Sequence, residues 1–186
     1  MHPRFLYDLE HCSIRRALDV LGEKWTLLVL REAIYGLCRF DDFARALGCG
    51  RGVLSARLKT MTQEGILERR DYTKPGQRPR AEYLLTEKGR DLMPAILALS
   101  QWSERWTPPP GGSVASVTER KTGRPVAVIM TSDPGADRLR MADIKIAPGP
   151  GAKLLSGAPG KAGTAVPAAA AMADQPRISR KRRSGA

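Results

Sequence analysis

The sequence predicts a mainly α fold carrying a small two-stranded β-wing, and three observations predict it. Apolar residues recur at helical spacing in segments separated by Gly22, Gly36, Gly48 and Gly65. Two runs of strand character, 66–73 and 81–85, flank a loop of turn residues, Lys74-Pro75-Gly76-Gln77-Arg78-Pro79-Arg80. All three tryptophans precede residue 107, while most glycines and prolines follow it, which places the structured domain in residues 1–107.

The elements follow in order. Ser13 can cap a short helix to Leu21, with Ile14, Ala17, Leu18 and Leu21 on one face, and Gly22 ends it. A second helix, Lys24 to Tyr35, turns Trp25, Leu28, Val29 and Ile34 inward. Leu27 and Leu30 make it apolar nearly all round, which predicts a central, buried helix stopped by Gly36. Asp41 opens a third helix, with Phe43, Ala44 and Leu47 inward and Gly48 at its end. After the turn Gly48-Cys49-Gly50-Arg51-Gly52, a fourth helix runs from Val53 to Glu64, with Leu54, Leu58 and Met61 facing the core and Gly65 as its cap. The two strands and their loop follow. Thr86 then caps a last long helix to about Thr107, kinked at Pro94, with an apolar stripe of Leu92, Ile96, Leu99, Trp102 and Trp106.

Beyond residue 107 the chain changes character. Pro108-Pro109-Pro110-Gly111-Gly112 reads as a linker. Residues 108–147 are expected to hold this linker and a small β-rich extension, in which Val126–Met130 and Asp143–Ala147 pair as a hairpin. Residues 148–186 are dominated by Gly, Ala, Pro and Ser and are expected to be a disordered basic tail ending Arg180-Lys181-Arg182-Arg183. That tail reads either as a solubilising segment or as a non-specific phosphate-binding arm.

Charge points to a polyanionic partner. The 186 residues carry 31 Lys and Arg against 19 Asp and Glu, a formal charge of +12. Residues 51–80 alone hold 8 basic and 3 acidic side chains, so the positive charge gathers on the fourth helix and the loop that follows it. Other classes find no support. No apolar run approaches the ~18 residues of a membrane span. The start, Met1-His2-Pro3-Arg4-Phe5, has no apolar leader core, and a cytoplasmic protein is expected. Three separated cysteines and two N-terminal histidines make neither a disulfide framework nor a zinc site, so neither metal nor cofactor is expected. No nucleophile–base constellation or phosphate-binding loop suggests an enzyme.

Two helices joined by a glycine-containing turn, then strand, basic loop and strand, form the winged helix-turn-helix order. The fourth helix can lie in a major groove while the wing reaches the minor groove or backbone of double-stranded DNA. Away from its buried face it presents Arg51, Ser55, Ala56, Lys59 and Thr62. Arg51, at the helix start, and Ser55 are the foremost candidates for base edges, and Lys59 for phosphate. Arg57, on the flank, can meet phosphate or pair with an internal acid. On the wing, Lys74, Arg78 and Arg80 are phosphate or minor-groove candidates.

The stretch from Cys12 to Trp106 resembles the HxlR-type winged-helix regulators, relatives of the MarR group. The matching residues run from Cys12 through Gly22-Glu23-Lys24-Trp25, then Leu30-Arg31-Glu32, Arg39-Phe40-Asp41-Asp42-Phe43, Leu54-Ser55-Ala56-Arg57-Leu58, Glu64-Gly65-Ile66-Leu67 and Glu82-Tyr83-Leu84-Leu85-Thr86-Glu87-Lys88-Gly89-Arg90. These motifs span about half the chain in the family's order. The resemblance implies a bacterial homodimeric regulator, associated with the nucleoid when bound to DNA. Its first and last helices, through Ile14 and Leu18 and through the Leu92–Trp106 stripe, would form most of the dimer interface, and it would bind a pseudo-palindromic operator. The stripe asks independently for a partner, because one small winged-helix core cannot cover it. In some members a cysteine at the position of Cys12 senses oxidants or electrophiles. Here the helix start and the neighbouring Arg15 and Arg16 could lower the thiol's pKa, while packing at the interface is the plainer role. Cys38 reads as packing, and Cys49 lies in the helix-turn-helix turn.

The sequence thus predicts a DNA-binding transcriptional regulator, a repressor, answering to an oxidant or small-molecule effector of unknown identity. The rival readings are a ligand- or redox-binding module and a non-specific architectural protein driven by the basic tail.

Overall fold

The computed structural model describes residues 10–73, 80–133 and 138–153. Six α-helices and four strands follow in the order α1 (Ser13–Leu21), α2 (Lys24–Ile34), α3 (Phe40–Leu47), α4 (Arg51–Gln63), β1 (Leu67–Tyr72), β2 (Arg80–Leu85), α5 (Glu87–Arg90), α6 (Met93–Trp106), β3 (Ala115–Glu119) and β4 (Ile144–Pro148). The mainly α fold with a β-wing is the one observed.

The core forms where α2 packs against α3, α4 and β2. Helix α2 buries Thr26, Val29, Leu30, Ala33 and Ile34, a 3-1-3-1 spacing that keeps one stripe on the core side. Trp25 and Leu28, expected inward, are half-buried, because the buried stripe centres on Leu30 rather than on Trp25. Phe43 of α3, and Leu54, Leu58 and Met61 of α4, fill the other side. Gly48 ends α3 with φ of 61°, a left-handed conformation that glycine adopts without steric cost, and so sets the sharp entry into α4.

Strands β1 and β2 pair antiparallel, Leu67 opposite Leu85 and Tyr72 opposite Arg80. A third segment joins them. Arg39 bridges to Glu82, and the Tyr83 N–H donates to the Cys38 carbonyl at 2.7 Å. The wing is thereby stitched to the residues that open α3. Thr86 caps α5 by accepting the Gly89 N–H at 3.1 Å and donates its own hydroxyl to the Gly65 carbonyl. Gly89 packs so closely on the Ile66 carbonyl that a Cβ there would collide with it.

Four expectations change. Ser13 is the first residue of α1 rather than its cap; Cys12 holds the cap position, and no side chain caps the helix. The recognition-type helix α4 begins at Arg51, two residues earlier than expected, with Gly50 at its cap. The single kinked last helix is two helices: Asp91 and Leu92 form a turn, and Pro94 sits in the first turn of α6, where its missing N–H costs nothing. Ile96, assigned to an intersubunit stripe, is 7% exposed and belongs with Met93 to the chain's own core.

The C-terminal unit also pairs differently. β4 pairs with β3 rather than with Val126–Met130, with Val117 opposite Ile146. Segment 126–130 instead runs along α6: Gln101 donates to the Val128 carbonyl at 3.3 Å, and its Oε1 accepts the Val128 N–H at 2.7 Å. One side chain thus imitates a neighbouring strand and occupies backbone groups that a hairpin would have used. Pairing continues past the expected start of the tail, with the Gly149 and Gly151 N–H groups donating to the Val114 and Ser113 carbonyls. The rest of the tail, 154–186, lies outside the described residues, as do residues 1–9.

Candidate nucleic-acid interface

Helix α4 has two unlike faces. Leu54, Leu58 and Met61 anchor it on α2 and β1, and the other side is open. Arg51, Ser55 and Lys59 follow one another at four-residue spacing and are exposed, as is Ala56. Lys59 has no ion pair among the described residues. Arg57 is half-buried on the flank, and its predicted choice between phosphate and an internal acid is not resolved by any ion pair among the described residues. Thr62 is half-buried and donates its hydroxyl to the Leu58 carbonyl at 2.7 Å, so that group is already engaged within the helix.

Arg51 is held in place. Its Nη1 and Nη2 both donate to Asp41 Oδ1 at 3.2 Å, and its guanidinium stacks over the Phe40 ring at 4.6 Å. Asp41 and Phe40 belong to the first turn of α3, so the two helices of the motif meet through this cluster. Sequence reasoning placed Arg51 but missed its holders; the signal was the ten-residue separation across a tight turn, which brings two helix starts together. It also missed Val53, which is 41% exposed on a mostly polar helix and offers an apolar surface of the kind that meets thymine methyl groups.

The wing carries its own charge pattern. On its exposed residues Arg69 pairs with Asp71 at 2.7 Å, and Arg70 with Glu68 at 2.8 Å. The hydrogen bond from Arg70 holds the Glu68 carboxyl below the usual carboxylate range. Arg39 donates to Glu82 at 3.2 Å and lies over the Tyr72 ring at 5.4 Å. These pairs leave the described strands of the wing close to charge balance, with Arg69, Arg70 and Arg80 set against Glu68, Asp71 and Glu82. Arg80, at the start of β2, is exposed; Lys74 and Arg78 lie outside the described residues.

The predicted interface residues occupy a second surface. Ile14 and Leu18 of α1 are 69% and 57% exposed, and Leu99, Trp102 and Trp106 of α6 are 53%, 63% and 64% exposed. Leu92 is half-buried against the core. Behind α6 a groove of about 450 Å³ is lined by Leu27, Leu28, Tyr35, Leu97, Val117 and Val126. Tyr35 on its wall has its pKa raised, chiefly by burial.

None of the three cysteines forms a disulfide, and all three are half-buried. Burial, helped by Glu82, pushes the Cys38 thiol up, which suits its predicted packing role. Cys12 stands at the N-cap of α1, next to the exposed Ile14. Among the described residues no group of His, Cys, Asp and Glu could hold a metal ion, and no helix is long and apolar enough to cross a membrane.

Comparison with known proteins places this geometry in context. Residues 20–110 match the sequence profile of the HxlR-like helix-turn-helix family. A protein of Mycobacterium tuberculosis strain H37Rv, described as an HTH-type transcriptional regulator, is 38% identical over 155 residues, spanning 80% of this chain and 97% of that protein. That match is too long to stop at α6, so this relative shares part of the C-terminal extension as well. Among solved structures, PA1607, described as a candidate transcription factor, aligns with a TM-score of 0.60 at 33% identity, over 72% of this chain and 92% of that one. A protein from Porphyromonas gingivalis W83, described as a candidate regulator of the MarR family, aligns with a TM-score of 0.50 at 26% identity, over 54% of this chain and 97% of that one.

Proposed function

The chain belongs to the HxlR-like helix-turn-helix family and is a transcriptional regulator, and from that premise we propose that it represses transcription by binding a pseudo-palindromic operator as a homodimer. The observation that carries the reading is α4: a helix anchored by three buried apolar residues that turns Arg51, Ser55, Ala56 and Lys59 to solvent beside the strands of the wing. Arg51 and Ser55 read base edges in the major groove, and Val53 reads methyl groups. Lys59, with Lys74, Arg78 and Arg80 of the wing, binds phosphate and supplies salt-dependent affinity; Arg57 joins them from the flank. The exposed faces of α1 and α6, with Ile14, Leu18, Leu99, Trp102 and Trp106, meet their counterparts in a second copy and set the spacing of the two recognition helices.

Cys12 is the proposed thiol switch. It stands at the N-terminal end of α1, beside that apolar face, so its oxidation would alter how α1 packs and hence the spacing of the half-sites. The test is fluorescence anisotropy of the full-length protein on its own upstream DNA and on a scrambled duplex, with and without a thiol oxidant. The reading expects preference for the upstream DNA, weakened by oxidant in the parent but not in Cys12→Ser. Equal affinity for both duplexes counts against this DNA as the operator and favours non-specific binding. An oxidant response that survives in Cys12→Ser moves the switch to another cysteine.

A further inference from the structure

We propose that Asp41 is a specificity-determining residue that acts by fixing Arg51 for guanine, an inference that rests on Arg51 reading base edges. Asp41 Oδ1 receives both Nη1 and Nη2 of Arg51 at 3.2 Å, an end-on arrangement that uses the two inner guanidinium protons. The Nε–H and the outer proton of Nη2 remain on the side edge of the same plane, with no partner among the described residues. They are parallel and spaced for two acceptors on one base edge, which in the major groove are O6 and N7 of guanine. Phe40 covers one face of the guanidinium at 4.6 Å, so the plane is fixed by stacking and its rotation within the plane by Asp41.

The chemistry favours readout over simple bracing of the two helices. Both side chains of the pair are about two-thirds exposed, where an isolated ion pair contributes little to stability. An acid at the rim of a DNA-binding helix also opposes phosphate. Its benefit is orientational: Arg51 has many rotamers, and a guanidinium already held in plane loses less freedom when it meets a base. Arg51 without Asp41 would still be attracted to DNA, but to phosphate as readily as to guanine.

The experiment is selection of a randomised duplex library by the full-length protein, followed by anisotropy on the selected duplex and on its single-base variants. The parent is expected to favour guanine at one position of each half-site by roughly tenfold or more, and Arg51→Ala to abolish that preference. Asp41→Asn, and Asp41→Ser as a second removal, are expected to cut the preference to about threefold or less while slightly raising affinity for non-selected DNA, because one negative charge is gone. In the Arg51→Ala background Asp41→Asn should change no base preference. Melting temperatures of the Asp41 variants should stay near that of the parent. Unchanged guanine preference in both Asp41 variants overturns the proposal, as does a loss of affinity that is equal for every sequence. Guanine preference that persists in Arg51→Ala sinks the underlying role of Arg51 instead, and a parent that selects no motif sinks sequence-specific binding itself.

Discussion

Helices α2 and α6 look alike in sequence and end up differently. Both are apolar over much of their circumference, both carry tryptophan, and each lies beside the other in the fold. Helix α2 is surrounded by α1, α3, α4, α6 and β2, and five of its residues are buried. Helix α6 buries only Met93 and Ile96 in its first turn and leaves Leu99, Trp102 and Trp106 mostly in water. The chain completes the core around α2 by itself. Around α6 it adds the C-terminal unit on one side, through Gln101 and a 2.6 Å contact between the Ser113 hydroxyl and Glu104, while among the described residues the side carrying Trp102 and Trp106 stays exposed. A helix more apolar than the described residues around it can bury is the surface on which the proposed dimer rests.

The largest effect is expected where the contrast is sharpest. Trp102→Glu combined with Leu99→Glu should leave the fold intact, since both side chains are exposed, and convert the proposed dimer to a monomer on size-exclusion chromatography. Operator affinity should then fall by roughly two orders of magnitude or more, because each recognition helix loses its tethered twin. A dimer that survives both charges would place the interface elsewhere. Around α2 the corresponding break is Phe43→Ala, which removes a fully buried ring between α3 and the core. It should cost about 3–5 kcal/mol in denaturant unfolding, lowering the melting temperature without changing the oligomeric state of the folded fraction. Equal damage to stability and assembly from both substitutions would erase the distinction between the two helices.

The contrast also explains what could be read from the sequence. The fold was legible because glycines at 36, 48 and 65 punctuate the helices and because Leu54, Leu58 and Met61 repeat at helical spacing. The exposed face of α4 followed by subtraction. What stayed hidden depends on side chains that meet across loops. Nothing in the local pattern of Asp41 and Arg51 says that one atom of the first takes two donors of the second. Nothing around Gln101 says that its amide would stand in for a strand and leave β4 to pair with β3. Ile96 was misassigned for a related reason: a stripe along a helix gives a direction, but the depth of each residue depends on where the neighbouring elements end, and on α6 only Met93 and Ile96 are buried.

The smallest predicted effect concerns a residue that both periodicity and composition passed over. Thr26 opens the α2 stripe, fully buried, and its hydroxyl has no hydrogen-bond partner among the described residues. Burying a hydroxyl without a partner costs free energy, and valine has nearly the same shape without that group. Thr26→Val should therefore stabilise the protein by about 1 kcal/mol in denaturant unfolding, with an unchanged m-value and unchanged dimerisation, because α6 is not involved. A destabilised variant would mean that the hydroxyl has a partner in solution, such as an internal water, and that the core around α2 is less completely apolar than its packing suggests. A stabilised one would set α2 apart still further from α6: the core gains by losing a polar atom, while the exposed stripe of α6 gains by the second chain of the proposed dimer.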